Sequence, residues 1–187
     1  MSTILIIQSA IISAGTVFLV YISRKSLLKP KSHGFYRFFV FASCLLLVSL
    51  NLPYWIMNPF TYQQIISWIS LIISIYLLFQ SFYSLKKFGG SKEREIETAN
   101  FNFENTANLI RDGIYKYIRH PMYCSLLFLS LGAFLKNISA YSIVLTIISV
   151  LFLIFTAKAE EKENIKFFGS LYTNYMEETK KFVPFIF

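Results

Sequence analysis

Four stretches of this chain, residues 3–22, 38–57, 65–85 and 140–157, are apolar over a length that approaches or reaches what a bilayer crossing needs. About 20 residues of helix at 1.5 Å each cover a hydrocarbon core of about 30 Å. Few folds are open to such a chain. Every backbone N–H and C=O in lipid must be satisfied within its own segment, so these stretches are expected to be helices. A fifth apolar run, 121–135, would be only about 22 Å long as a helix. It is expected to tilt, to thin the bilayer locally, or to form half of a hairpin with 140–157 through Lys136, Asn137, Ile138 and Ser139. The predicted fold is all-α: one polytopic membrane domain over residues 1–187 with about five transmembrane helices.

Composition excludes an ordinary soluble domain, since 55% of the 187 residues are hydrophobic, 15% are charged and the mean hydropathy is +0.53. The net charge of +8 does not point to nucleic acid, because the basic residues lie between apolar runs and form no single stripe. Membrane lipid headgroups are the expected partners of that charge. Cys44 and Cys124 lie in or beside apolar segments without the spacing of a zinc site or redox pair, so they read as packing residues and no metal is expected. The first apolar run has no positive charge before it and Arg24-Lys25 after it, the reverse of a cleavable signal, and is expected to stay as the first helix.

Charge placement orients the chain. The segments after helices one, three and five hold 5, 7 and 5 Lys or Arg, and the other side holds only Lys136. By the positive-inside rule the N-terminus is expected outside and the C-terminus in the cytoplasm. The long polar stretch 86–119 then forms a cytoplasmic loop or cap. Residues 158–187, with Phe167, Phe168, Leu171, Tyr172 and Tyr175 at roughly helical spacing, read as an amphipathic cytoplasmic segment against the membrane or the protein body.

Two clusters carry candidate chemistry. Arg119-His120-Pro121 stands where the polar stretch enters helix four, with Pro121 suited to the first helical position and His120 near the cap. Tyr123 follows His120 by three residues and shares its face, and Tyr115 and Tyr117 precede it. Free N–H groups and the positive helix end favour an anionic ligand group there. The bland alternative is an interfacial belt of Arg, His and Tyr. The second cluster, Glu160-Glu161, lies at the end of helix five; a 4–5 hairpin brings both clusters to one side, and acidic residues at that depth are functional candidates. Their bland alternative is a solvated start to the cytoplasmic segment.

Together, Gly113-Ile114-Tyr115, Arg119-His120-Pro121-Met122-Tyr123, Glu160-Glu161, Phe168-Gly169, Tyr172 and Tyr175 resemble the isoprenylcysteine carboxyl methyltransferase family and its relatives, the phospholipid N-methyltransferases. The resemblance covers roughly residues 100–184. It implies methyl transfer from S-adenosylmethionine, held in a cytoplasmic pocket around helices four and five and the C-terminal helix. The acceptor would be a lipophilic small molecule or lipidated group, with the carboxylate of an isoprenylcysteine-like substrate first and a phospholipid amine as the alternative. Cofactor contacts would fall on Asn100, Asn108, Leu109, Ile110, Tyr115, His120, Pro121, Met122 and Tyr123. Glu160, Glu161 and His120 would be the catalytic candidates, and Arg119, Thr156, Lys158 and Glu160 the acceptor side. Two positions depart from the pattern. Thr156 stands where prenylcysteine methylating members have arginine, with Lys158 about half a turn away, and Asn164 replaces an apolar residue. A membrane reductase is disfavoured by Met122 after Pro121, and a non-enzymatic membrane scaffold is the alternative of another class. The scattered glycines exclude a soluble dinucleotide-type methyltransferase fold.

Overall fold

The computed structural model describes residues 2–89 and 108–182. The described residues form six α-helices, α1 (Ser2–Leu27), α2 (His33–Leu50), α3 (Tyr62–Phe88), α4 (Pro121–Lys136), α5 (Ala140–Phe168) and α6 (Ser170–Glu178), and contain no strand. Hydroxyl caps set several starts: Ser32, Thr61 and Ser139 accept from the backbone N–H of Phe35, Gln64 and Ser142. α1, α2, α3 and α5 are long and apolar enough to cross a membrane, and α4, with 16 residues, is shorter. The chain is an all-α polytopic membrane protein.

The predicted boundaries differ most at α2 and α5. The second apolar run was expected to be helical over 38–57, but α2 begins at His33 and stops at Leu50, followed by a 3-10 turn at Leu52–Tyr54. Pro53 lacks the N–H that a continuing helix would use. Asn51 is fully buried and turned inward: its Nδ2 donates to the Ala133 carbonyl at 2.8 Å and to Ser142 Oγ at 3.2 Å, and its Oδ1 accepts from the Tyr141 hydroxyl at 2.9 Å. Helix five was expected to end at residue 157, but α5 runs unbroken to Phe168, and the C-terminal segment is divided by Gly169 at φ +59° before α6. A 29-residue helix is about 43 Å long, so the turns beyond Ala157 project past a hydrocarbon core of about 30 Å.

The bonds between helices define their order. Along α3 and α4, Gln64 Nε2 donates to the Lys136 carbonyl, Ser67 Oγ to Gly132 and Ser74 Oγ to Ser125, so the two run antiparallel. Such hydroxyl-to-carbonyl bonds and small residues let helices approach closely where lipid offers no hydrophobic drive. A Cβ on Gly132 would lie 2.7 Å from the Leu71 side chain. α2 runs antiparallel to α5, joined by Asn51 to Ser142 at one end and His33 to Glu163 at the other. α4 and α5 form a hairpin, one of the three arrangements open to the fifth run, and meet at Ser130 and Ser149, 2.8 Å apart. The starts of α2 and α4 and the ends of α3 and α5 therefore gather at one end of the bundle. Lys136 sits at the other end, buried, with its Nζ 3.6 Å from the Trp68 ring centre and donating to Gln64 Oε1 at 3.1 Å.

Candidate functional site

At the end where those helix termini meet, a cleft of about 800 Å³ including its open mouth lies between the ends of α3 and α5, the starts of α2 and α4, and α6. The segment before α4 reaches it through Gly113, at φ +65°, where an added Cβ would stand 2.6 Å from Ser84 Oγ. Glycine alone fits both constraints. The chain then runs beside the C-terminal residues as a short parallel bridge. Arg119 N–H donates to the Lys180 carbonyl at 2.8 Å, His120 N–H to Lys181 at 3.2 Å, and Lys180 N–H to Tyr117 at 3.3 Å. The Tyr175 hydroxyl donates to the Tyr115 carbonyl at 2.6 Å, so α6 and the bridge hold the approach to α4 from both sides.

His120 caps α4 ahead of Pro121, stacks on Tyr123 at 5.3 Å between ring centres, and is 4% exposed. Its Nδ1 is 3.5 Å from Glu160 Oε2. Its buried Nε2 lies 3.4 Å from Glu161 Oε1 outside hydrogen-bond geometry and has no hydrogen-bond partner among the described residues. Burial pushes this imidazole down, but Glu160 and then Glu161 outweigh it and raise its pKa. The carboxylates answer in the opposite sense. Burial opposes ionisation of Glu160, yet His120, the His33 charge and Tyr123 bring it down to about 2. Glu161 is likewise brought to about 2, against burial, by His120 and Lys181. Burial raises the phenols of Tyr172 and Tyr175, which stay neutral donors.

Glu161 stands behind the cleft. Its Oε1 accepts from Arg119 Nε at 3.0 Å and its Oε2 pairs with Lys181 Nζ at 2.9 Å. Arg119 Nη1 also donates to the carbonyls of Met176, at 2.9 Å, and of Thr179. One buried carboxylate thus ties the start of α4 to the C-terminal bridge.

Of the predicted cofactor residues, Leu109, Ile110, Tyr115, His120, Pro121, Met122 and Tyr123 line the cleft. Asn108 is exposed just outside it, with its N–H donating to the Gly89 carbonyl at 3.4 Å, and Asn100 lies outside the described residues. On the predicted acceptor side, Arg119 and Glu160 line the cleft. Thr156 does not: it is fully buried in the bundle and donates to the Phe152 carbonyl at 2.6 Å. Lys158 is exposed and does not line it either. His33 and Glu163, which carried no role in the sequence reading, also line it, together with Leu85, Asn164, Phe168, Tyr172 and Tyr175. The spacing of Glu160 and Glu163 on one face of α5 would have signalled the second carboxylate, had the helix been carried past residue 157.

The fold and cleft define a polytopic membrane protein whose helix ends enclose an acid, imidazole and aromatic site at one end of the bundle. The model of the phospholipid methyltransferase family matches residues 62–171, from the start of α3 into α6, and the chain belongs to that family, a family of membrane methyltransferases. No curated protein and no solved structure matches it.

Proposed function

We propose that the cleft binds S-adenosylmethionine and that the protein methylates the amine of a lipid headgroup at the cytoplasmic membrane surface. The cleft fits the donor's chemistry. The buried imidazole of His120 and the N-terminal N–H groups of α4 suit its polar and anionic parts. Tyr115, Tyr123, Phe168 and Tyr172 offer aromatic faces to an adenine ring or a sulfonium cation, and Glu160 offers a carboxylate to an ammonium. When bound, the donor supplies a methyl on sulfonium sulfur: the acceptor lone pair forms the new bond to carbon as the carbon–sulfur bond breaks and its electron pair stays on sulfur. The protein's own contribution is then to align the acceptor and exclude water.

The observation that carries the amine reading is the charge inventory of the lining. Glu160 and Glu163 present carboxylates, while the lining guanidinium, Arg119, is engaged by Glu161 and the carbonyls of Met176 and Thr179. A carboxylate acceptor would meet like charge, whereas an ammonium headgroup meets opposite charge. The family match to phospholipid methyltransferases supports the same acceptor. An isoprenylcysteine carboxylate is the second reading, supported by Arg119 lining the cleft and by the resemblance over residues 119–123. The concentration of positive charge beside the cleft supports a cytoplasmic placement, with the N-terminus outside.

The test is direct. Calorimetric titration of the purified protein with S-adenosylhomocysteine is expected to show saturable binding. Membranes incubated with methyl-labelled donor are expected to yield a labelled amine lipid. No response at millimolar ligand refutes the donor site, and label found only in an ester refutes the amine acceptor.

A further inference from the structure

Three exposed lysines of α5, Lys158, Lys162 and Lys166, follow one another at four-residue steps and so share one face of an unbroken helix. Nearer the bilayer centre the same face carries Val144, Ile147, Leu151 and Phe155, each between 47% and 55% exposed. In a membrane these apolar side chains face lipid, so the change from Phe155 to Lys158 marks where this side of α5 leaves the hydrocarbon. The three lysines have no side-chain partner among the described residues. The carboxylates of the same stretch are engaged elsewhere: Glu160 lies against His120, Glu163 is bonded to His33, and Glu161 pairs with Arg119 and Lys181.

A lysine stripe on a soluble helix is ordinarily a solvated face. Here its depth and direction decide otherwise. The headgroup layer on one side of a bilayer is about 5–8 Å thick. At 1.5 Å per residue Lys158 and Lys162 stand at that depth, and Lys166 can reach back to it through its long side chain. At about 100° per residue the stripe lies roughly opposite Glu160, Glu163 and Asn164, which line the cleft. It therefore faces the surrounding lipid and is separate from the site described above.

We propose that this stripe is a binding site for the phosphates of anionic phospholipids, chosen over zwitterionic ones. An anionic headgroup brings net negative charge to three uncompensated ammonium groups, whereas a zwitterionic headgroup also brings an ammonium that they repel. The contact has a consequence for the cleft. Glu160 and Glu163 ride on the same rigid helix, about 5 Å and about 10 Å beyond the hydrocarbon edge. Phosphates held by the stripe thus keep the mouth of the cleft level with the headgroups. The proposal rests on the membrane fold and stands apart from the acceptor reading, so its test uses neither methyl donor nor acceptor.

The experiment places a reporter on the lipid-facing side of α5. Leu151→Trp sets an indole about 10 Å below Lys158, at the depth of bromines on brominated acyl chains. The emission of Trp55 and Trp68 is subtracted with the matching protein that keeps Leu151. In vesicles of dioleoylphosphatidylcholine, brominated phosphatidylglycerol is expected to quench the added indole as though about fivefold more concentrated than brominated phosphatidylcholine, the factor that one lysine near an anionic headgroup contributes. Lys158→Gln, Lys162→Gln and Lys166→Gln together are expected to bring that ratio to within about 1.5-fold of unity. Salt at about 1 M is expected to do the same with the lysines in place. Equal quenching by the two lipids at low salt leaves the stripe to water and overturns the proposal. A preference that survives the triple substitution belongs to other basic residues and overturns it as well. If the triple variant fails to insert, the salt titration decides, and a preference undiminished at about 1 M salt refutes the site.

Discussion

Replacing Glu161 with Gln should release the C-terminal bridge from the start of α4. The carboxylate is only 8% exposed and neutralises both Arg119, at 3.0 Å, and Lys181, at 2.9 Å. Its pKa falls from 4.5 to about 2. That shift corresponds to about 3 kcal/mol of preference for the charged form in the folded protein. Loss of one partner from a buried pair gives a similar magnitude, about 3–5 kcal/mol, because the remaining charges stay buried and unpaired. The sign follows from the direction of the shift. A carboxylate with a depressed folded pKa contributes stability that is present above pH 4.5 and lost as pH falls toward about 2. Hydrogen exchange reads this locally, at the amides of Arg119, His120 and Lys180 that close the bridge. Glu161→Gln is expected to speed their exchange by about two orders of magnitude at pH 7, and the difference from wild type should shrink toward none near pH 2. Unchanged protection at pH 7, or a difference that persists undiminished in acid, would refute the reasoning.

Other outcomes follow from the same geometry. His120→Ala should weaken S-adenosylhomocysteine binding by about tenfold or more by losing a donor and its stacking on Tyr123, and Tyr123→Phe by less, both by calorimetry. Gly132→Ala places a Cβ 2.7 Å from the Leu71 side chain and 3.1 Å from the Ser67 carbonyl oxygen, and should cost about 1–3 kcal/mol of helix packing, seen as a lower Tm. Lys136→Ala takes the cation from the Trp68 face and leaves Gln64 Oε1 without its donor. A loss of about 1–3 kcal/mol is expected, with a change in tryptophan fluorescence, and an unaltered Tm would show the cation to be idle.

The helices were legible because apolar length is a direct physical requirement of the bilayer. Their starts were read less well: the Ser32 and Thr61 caps begin α2 and α3 ahead of apolar runs taken from 38 and 65, and α5, capped by Ser139, starts where its run does. The end of α2 was not legible. Residues 51–57 are as apolar as a helix would need, and what stops it is Pro53 together with the inward bonds of Asn51 to Ala133 and Ser142 on other helices. Hydropathy reports solvent, and it is silent about where a backbone turns. The same limit hid the end of α5: its apolar letters stop near the membrane surface, but the following Lys, Ala and Glu are strong helix formers, so the backbone continues to Phe168.

That overrun is also why part of the cleft escaped a reading by motif. Residues 119–123 and Glu160 show themselves as short runs of unusual residues at a membrane boundary. His33 and Glu163 do not, since their meaning arises only when α2 and α5 lie antiparallel and bring positions 130 apart into contact. An unbroken helix that enters the bundle at Ala140 and leaves it carrying Glu160, Glu161 and Glu163 can fix three carboxylates relative to one another without any loop. Glu160 and Glu163 meet histidines in the cleft, while Glu161 lies against His120 from behind and binds the cations there. The rigidity that the bilayer demands of α5 thereby sets the spacing of the acidic groups, and the flanking segments have only to deliver imidazoles and cations to them.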